Sequence, residues 1–304
     1  MRVLLVFNAS ASSVTARGRV VIQKALSADH EVTAAETNRR GHATRLAQGA
    51  AAEGFDAVVC LGGDGTLNEV ANGLAGSRTA LGVLPGGSTN VFARTIGITN
   101  DPIEATGQLL AAMAAGSRRR IGLGSVNGRY FLFHVGLGFD AAVVEQVEKR
   151  SELKRWAGHP LFVYAGFATW FRHFDRRRPY IRIRYDDGEE LDSPFAIFLN
   201  TNPYTSLGNR PLNVAPSAGL ERPLSVVAFR YMRFLPVLRV IAGALGYGAL
   251  PERHRIVHAR NDVSHVVVDG HGPFPYQVDG DHLGEIERVE LAWQPDLLDL
   301  FVPS

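Results

Sequence analysis

Leu61-Gly62-Gly63-Asp64-Gly65-Thr66-Leu67-Asn68-Glu69 is the stretch on which the fold turns. It follows the apolar run at 57–61 (AVVCL) and opens a helical pattern over 67–74. A buried strand that delivers the chain into glycines and then a helix is the repeating unit of layered α/β domains. The glycines permit a tight turn and let backbone N–H groups approach phosphate oxygens with no Cβ between them. The following helix N-terminus adds partial positive charge. Asp64 is a poor direct partner for phosphate, but a carboxylate belongs there if Mg²⁺ stands between the two. The competing reading is a plain glycine turn with Asp64 as helix N-cap.

Outward from that loop the pattern repeats. Strands are expected at 2–7, 30–35 and 79–84, and helices at 17–28, 42–53 and 103–115. Strands separated by helices imply parallel pairing through right-handed crossovers. The strand at 79–84 leads into a second loop, Leu84-Pro85-Gly86-Gly87-Ser88-Thr89-Asn90-Val91-Phe92-Ala93-Arg94. Its glycines and hydroxyls can cradle an anion, although Ser88 or Thr89 serves equally well as a helix cap. Two such loops at successive strand ends fall on one edge of the sheet, where open α/β folds bind ligands. Past residue 120 the segments 125–135, 180–185, 195–199, 224–229, 263–268 and 274–278 are short and β-rich, with helices around 141–175 and 234–249. The expected organisation is an α/β domain with anion-cradling loops over 1–122, which the resemblance given below makes the nucleotide-binding catalytic domain, and a mainly antiparallel β-rich domain over 123–289. The end, 290–304, is open to packing back on the first.

Composition excludes several classes. A formal charge of +2 gives no field for nucleic acid. The single Cys60 forms no internal disulfide and no thiolate zinc site. The only lysines are Lys24, Lys149 and Lys154, so neither a Walker-type loop nor the lysine of protein kinases is present. The longest clean apolar run, 161–171, falls short of the roughly 20 residues that span a bilayer. MRVLLVF turning polar at Asn8 reads as a buried first strand rather than a secretory leader, which points to the cytoplasm. The ten histidines show no metal-ligand spacing and read as structural, and Cys60 reads as core.

GGDGTLNEVANGL (62–74) followed by LPGGSTNVFAR (84–94) resembles the catalytic domain of the diacylglycerol-kinase-like lipid kinases. That group includes soluble bacterial diacylglycerol kinases, sphingosine kinases and ceramide kinases, with NAD kinases and phosphofructokinases more distant. The resemblance continues through TNRRGHA (37–43), FLFHVGLGFDA (131–141) and VDGD (278–281). It implies a fold of NAD kinase/diacylglycerol kinase type with a β-sandwich-like second domain. It implies ATP and Mg²⁺ as cofactors and a lipid alcohol as acceptor at the membrane surface. Nucleotide contacts carry over to Asn8, Thr37, Gly62, Gly63, Asp64, Gly65, Thr66, Leu67, Asn68, Gly86, Gly87 and Ser88. Asp64 carries over as the residue that meets Mg²⁺ through phosphate or water, and Asp279, with Asp281 beside it, as the acceptor of the hydroxyl proton. The chemistry asks for such groups: a primary alcohol attacks a γ-phosphoryl group only with a carboxylate near its hydroxyl and positive charge on the phosphate. Asp279-Gly280-Asp281 is also a hairpin turn by composition, and the two readings are compatible.

Three departures matter. The family's opening NPxSG is Asn8-Ala9-Ser10-Ala11-Ser12, its Asp-Gly-Glu is Asp279-Gly280-Asp281, and its Asp-Asp-Gly-Leu is Glu221-Arg222-Pro223-Leu224. Arg222 cannot ligate a cation, so a second, structural Mg²⁺ is expected to be missing or held differently. On the acceptor side, 149–184 holds ten Lys or Arg against Glu152 and Asp175, around an aromatic and aliphatic stretch at 156–174. A basic rim about apolar side chains suits peripheral contact with an anionic membrane, and a core helix with solvated ends is the plainer alternative. Arg118–Arg120 reads as the basic end of the 103–115 helix. A homodimer stays open. The leading expectation is an ATP- and Mg²⁺-dependent lipid kinase. Its rivals are an NAD kinase and a catalytically weak lipid- or nucleotide-binding protein.

Overall fold

A computed structural model describes residues 1–149, 165, 166, 168–170, 175, 180–207 and 210–303. The chain divides into two compact units, Met1–Leu123 with Pro295–Ser304, and Gly124–Gln294.

In the first unit β1 (Arg2–Phe7), β2 (Glu31–Glu36), β3 (Ala57–Gly62) and β4 (Ala80–Pro85) form a parallel sheet in the order β4-β3-β1-β2. Helices α1 (Ala16–Ser27), α2 (His42–Ala52), α3 (Asp64–Leu74), α4 (Val91–Thr95) and α5 (Pro102–Ala115) connect and follow the strands. β3 and β4 are buried at every residue. Parallel strands covered on both faces need continuous apolar runs rather than alternation, which is what AVVCL supplies. β2 lies at the edge and is largely exposed. The chain passes from β1 outward to β2 and then back across β1 to β3, so the order reverses between β1 and β3. Crevices at such switch points, beyond the carboxyl ends of the strands, are where ligands bind in open α/β sheets.

The second unit is antiparallel. β5 (Arg118–Val126) runs into it and turns at Asn127-Gly128 into β6 (Arg129–Phe131), followed by β7 (His134–Gly138) and α6 (Phe139–Glu148). Then come β8 (Ile181–Tyr185), β9 (Glu190–Ser193), β10 (Phe195–Leu199), β11 (Thr205–Leu207), β12 (Arg210–Leu212), β13 (Leu224–Phe229) and α7 (Phe234–Ala244). β14 (Val257–Val263), β15 (His265–Val278) and β16 (Asp281–Phe301) close the chain. The main path is β14-β13-β10-β7-β15-β16. β10 separates two cores: Ala196 and Phe198 face one, and Phe195, Ile197 and Leu199 face the other.

Several boundaries differ from the sequence reading. The expected strand at 125–135 is broken by Asn127 and Gly128, both at positive φ, the geometry of a tight hairpin. The expected strands at 263–268 and 274–278 are one strand, β15, because register shifts absorb the glycines between them. Arg118–Arg120 does not end the helix before it but opens β5, and Arg120 pairs with Asp299 at 3.1 Å. β16 belongs to the second unit up to Gln294 and to the first from Pro295 onward. Most of the basic, aromatic stretch at 149–184 lies outside the described residues.

Candidate active site

The first unit brings both glycine bends to the carboxyl edge of its sheet, in backbone contact. Gly62 is paired with Pro85, and Gly86 N donates to Gly62 O at 2.8 Å. A Cβ on Gly86 would lie 2.9 Å from Gly62 Cα, and one on Gly87 would lie 2.8 Å from Gly63 Cα. The glycines of the second bend are therefore there so that two backbones can touch. Gly87 N donates to Asn90 Oδ1 at 2.8 Å, so the N–H groups of Gly86 and Gly87 already have protein acceptors. Of the second bend's expected contacts, Ser88 is the one left exposed.

Asp64 is neither N-cap nor isolated. The N-cap of α3 is Gly63, and Asp64 begins the helix. Its carboxylate reaches the other bend, accepting from Thr89 Oγ1 (3.2 Å), Val91 N (3.0 Å) and Phe92 N (3.2 Å). It thus caps α4, whose first amides are taken and do not form an anion site. Glu69, whose role sequence reasoning missed, does the same for α2: its oxygens accept from Gly41 N (2.8 Å) and Ala43 N (3.1 Å). An acidic residue capping a helix remote in sequence leaves no local signature.

The remaining expected nucleotide contacts divide in two. Asn8, at the end of β1, donates from Nδ2 to Thr66 Oγ1 at 3.2 Å, and Thr37 N donates to Phe7 O at 2.9 Å. Both stand half-buried on the same edge as Gly62–Thr66. Leu67 and Asn68 turn inward and are buried, and Asn68 Oδ1 accepts from Asn72. Ser13 also joins the bends, with N donating to Gly86 O (2.9 Å) and Oγ to Gly87 O (3.2 Å). Leu67 N is the first amide of α3 to reach back four residues, to Gly63 O at 3.0 Å, and a helix start of this kind directs its preceding N–H groups along the helix axis, out of its N-terminal end. Burial, with the Glu69 and Asp64 charges adding to it, pushes the Cys60 thiol up and keeps it an inert core group.

In the second unit Asp279-Gly280 is the turn joining β15 to β16, with φ of 49° and 82°. The hairpin reading holds. The Asp279 carboxylate is buried and accepts from three consecutive amides, Leu132 N (2.7 Å), Phe133 N (2.9 Å) and His134 N (3.1 Å). Asp281, across the turn, is a third exposed, with Oδ2 4.0 Å from Arg129. A second buried acid, Asp140, lies in the first turn of α6; it accepts from Tyr204 Oη (2.5 Å) and Gln277 Nε2 (2.7 Å). Burial raises its pKa, against the pull of those two hydrogen bonds. Gln277 Oε1 accepts from Gly280 N at 2.8 Å, which links Asp140 to the hairpin. His134 lies tilted against Tyr204 at 4.3 Å between centroids and is held neutral by burial, its pKa lowered to about 3.

The donors fit magnesium-borne nucleotide in a specific way. Among the described residues no group of three or more His, Cys, Asp or Glu is arranged to hold a metal ion. Asp64 can supply one carboxylate whose oxygens are already shared with the second bend. Mg²⁺ prefers one or two carboxylates with phosphate and water completing its octahedron, so an ion carried on phosphates matches this donor set. Arg222 forms a bidentate pair with Asp262 (3.0 and 2.7 Å), placing a guanidinium on that carboxylate.

This architecture, a parallel unit with paired glycine bends and an antiparallel unit, defines the class of NAD kinase and diacylglycerol kinase folds. A family model for the diacylglycerol kinase catalytic domain matches residues 2–143. A diacylglycerol kinase of Bacillus subtilis (strain 168) is 32% identical over 248 residues, 80% of this chain and 78% of that protein. The crystal structure of a diacylglycerol kinase from Bacillus anthracis str. Sterne shares the fold with a TM-score of 0.71 at 18% identity, over 99% of this chain and 96% of that one. An NAD kinase from Archaeoglobus fulgidus, solved in complex with ATP, shares it with a TM-score of 0.50 at 12% identity, over 100% and 94%. The chain belongs to the diacylglycerol-kinase-like lipid kinase family.

Proposed function

We propose that this chain transfers the γ-phosphoryl group of ATP to a lipid hydroxyl, with diacylglycerol the leading acceptor because the Bacillus subtilis relative carries that name. The observation that carries the reading is the pair of touching bends at the sheet's switch point, beside the first turn of α3. Mg²⁺ bound with the nucleotide supplies positive charge to the phosphates. The α3 amides orient those phosphates, Ser88 adds a hydroxyl donor, and Asp64 fixes the second bend while offering a carboxylate to the ion's water or phosphate shell. Glu69 holds α2, and with it the Thr37–Gly41 loop, against α3.

The hydroxyl's proton goes to the Asp279-Gly280-Asp281 hairpin. Asp281 is the carboxylate of that hairpin open to a substrate, and Asp279 positions it by gripping the 132–134 turn. ADP release measured with diacylglycerol, a sphingoid base and NAD as alternative acceptors tests the assignment. Turnover with a lipid and none with NAD is expected; phosphorylation of NAD alone overturns it. ATP binding without turnover on any acceptor leaves a nucleotide-binding protein and overturns it equally.

A further inference from the structure

We propose that the outward face of α7, with the turn that follows it, docks this chain on an anionic lipid bilayer. This goes beyond phosphoryl transfer and does not depend on it. α7 reads FLPVLRVIAGA and contains no acidic residue. Val237, Val240 and Ala244 pack into the core against β10 and β13. The opposite side carries Phe234, Leu235, Leu238 and Ile241, exposed at 37%, 63%, 37% and 41%. At about 100° per residue these four fall within an arc of about 120°. In the turn that follows the helix, Tyr247 and Leu250 are also exposed, Tyr247 with the Arg210 guanidinium over its ring. Of the ten large hydrophobic side chains most exposed among the described residues, these are six.

Soluble surfaces scatter such residues singly, and a contiguous patch marks a contact. Charge selects the occupant. Along the chain from 230 to 255 the segment that carries these side chains holds five exposed arginines, Arg230, Arg233, Arg239, Arg253 and Arg255, against one acidic residue, the half-buried Glu252. A second copy meeting this face about a two-fold axis would set arginine against arginine. Anionic headgroups instead complement the arginines while the apolar side chains enter the boundary of the acyl chains.

The test is sedimentation of the full chain, without ATP, with vesicles of phosphatidylcholine alone or mixed equally with phosphatidylglycerol. Binding to the mixed vesicles, weakened by salt, is expected. Leu235→Ser with Leu238→Ser should lose at least about tenfold in affinity, and Arg233→Gln or Arg239→Gln about fivefold each. Circular dichroism melts monitor folding, and the exposed arginine variants answer the question if the serine variant unfolds. Failure of the parent chain to sediment, or sedimentation unchanged in all variants, overturns the proposal. So does a dimer seen by light scattering that Leu235→Ser dissociates, since a second copy would then be the occupant. Because binding is read without nucleotide, it can fail while the kinase reading stands, and the reverse.

Discussion

Replacing Asp279 with Asn separates a structural carboxylate from a catalytic one. The carboxylate accepts three amide hydrogens at 2.7–3.1 Å in a buried place. Asn keeps one acceptor oxygen and turns an NH₂ toward at least one of those amides. If the oxygen stays with Phe133 and His134, Leu132 N faces another donor. A hydrogen bond to a charged group contributes about 1.5–3 kcal/mol, and a buried unsatisfied donor costs about 1–3 kcal/mol. The two surviving bonds weaken as their acceptor loses its charge. The sum is about 4 kcal/mol. At roughly 2–4 °C per kcal/mol for a chain somewhat smaller than this one, Tm should fall by about 10 °C. Asp281→Asn, on the same turn but a third exposed, should stay within about 0.5 kcal/mol of the parent. Calorimetric or circular dichroism melts of both variants at neutral pH decide it. An Asp279→Asn protein that melts with the parent while losing turnover would refute the positioning role and return the proton to Asp279.

Asp64→Ala should lower stability by about 1–2 kcal/mol through loss of the α4 cap and remove turnover; unchanged melting would show that the carboxylate does not tie the bends together. Glu69→Ala should destabilise by a similar amount, about 1–2 kcal/mol, and raise KM for ATP, whereas Glu69→Gln should recover part of both. His134 carries an acid sensitivity. Its folded pKa of about 3 lies below the ordinary value of about 6.5, so between them only the unfolded chain takes the proton. Stability should therefore fall as pH drops below about 6.5, by about 1.4 kcal/mol per unit, or roughly 2 kcal/mol between pH 6.5 and pH 5. Urea titrations of the parent and His134→Gln at both pH values check this, and an equally steep slope in the variant would assign it elsewhere.

The first unit was largely legible because each of its signals is local. AVVCL, GGDGT and PGGST name a strand end and a bend without reference to the rest of the chain. What the bends do was not legible. Gly86 and Gly87 look like phosphate donors until the neighbouring bend is seen against them. The grip of Asp279 on Leu132 spans 147 residues, and no periodicity reports such a contact. The sequence reads as two strands where β15 is one, because Gly270, Gly272, Pro273 and Pro275 carry turn chemistry that bulges absorb inside a paired strand. α7 was visible as an apolar helix, but a sequence apolar on nearly every face does not say which face the core takes.

Diffraction from a crystal soaked with Mg²⁺ and a non-hydrolysable ATP analogue bears most directly on the account. The phosphates should lie against the first turn of α3, within reach of Ser88 and Asn8, with the ion between phosphate and Asp64. Nucleotide bound elsewhere, or an α3 terminus closed by the protein's own side chains, would contradict it.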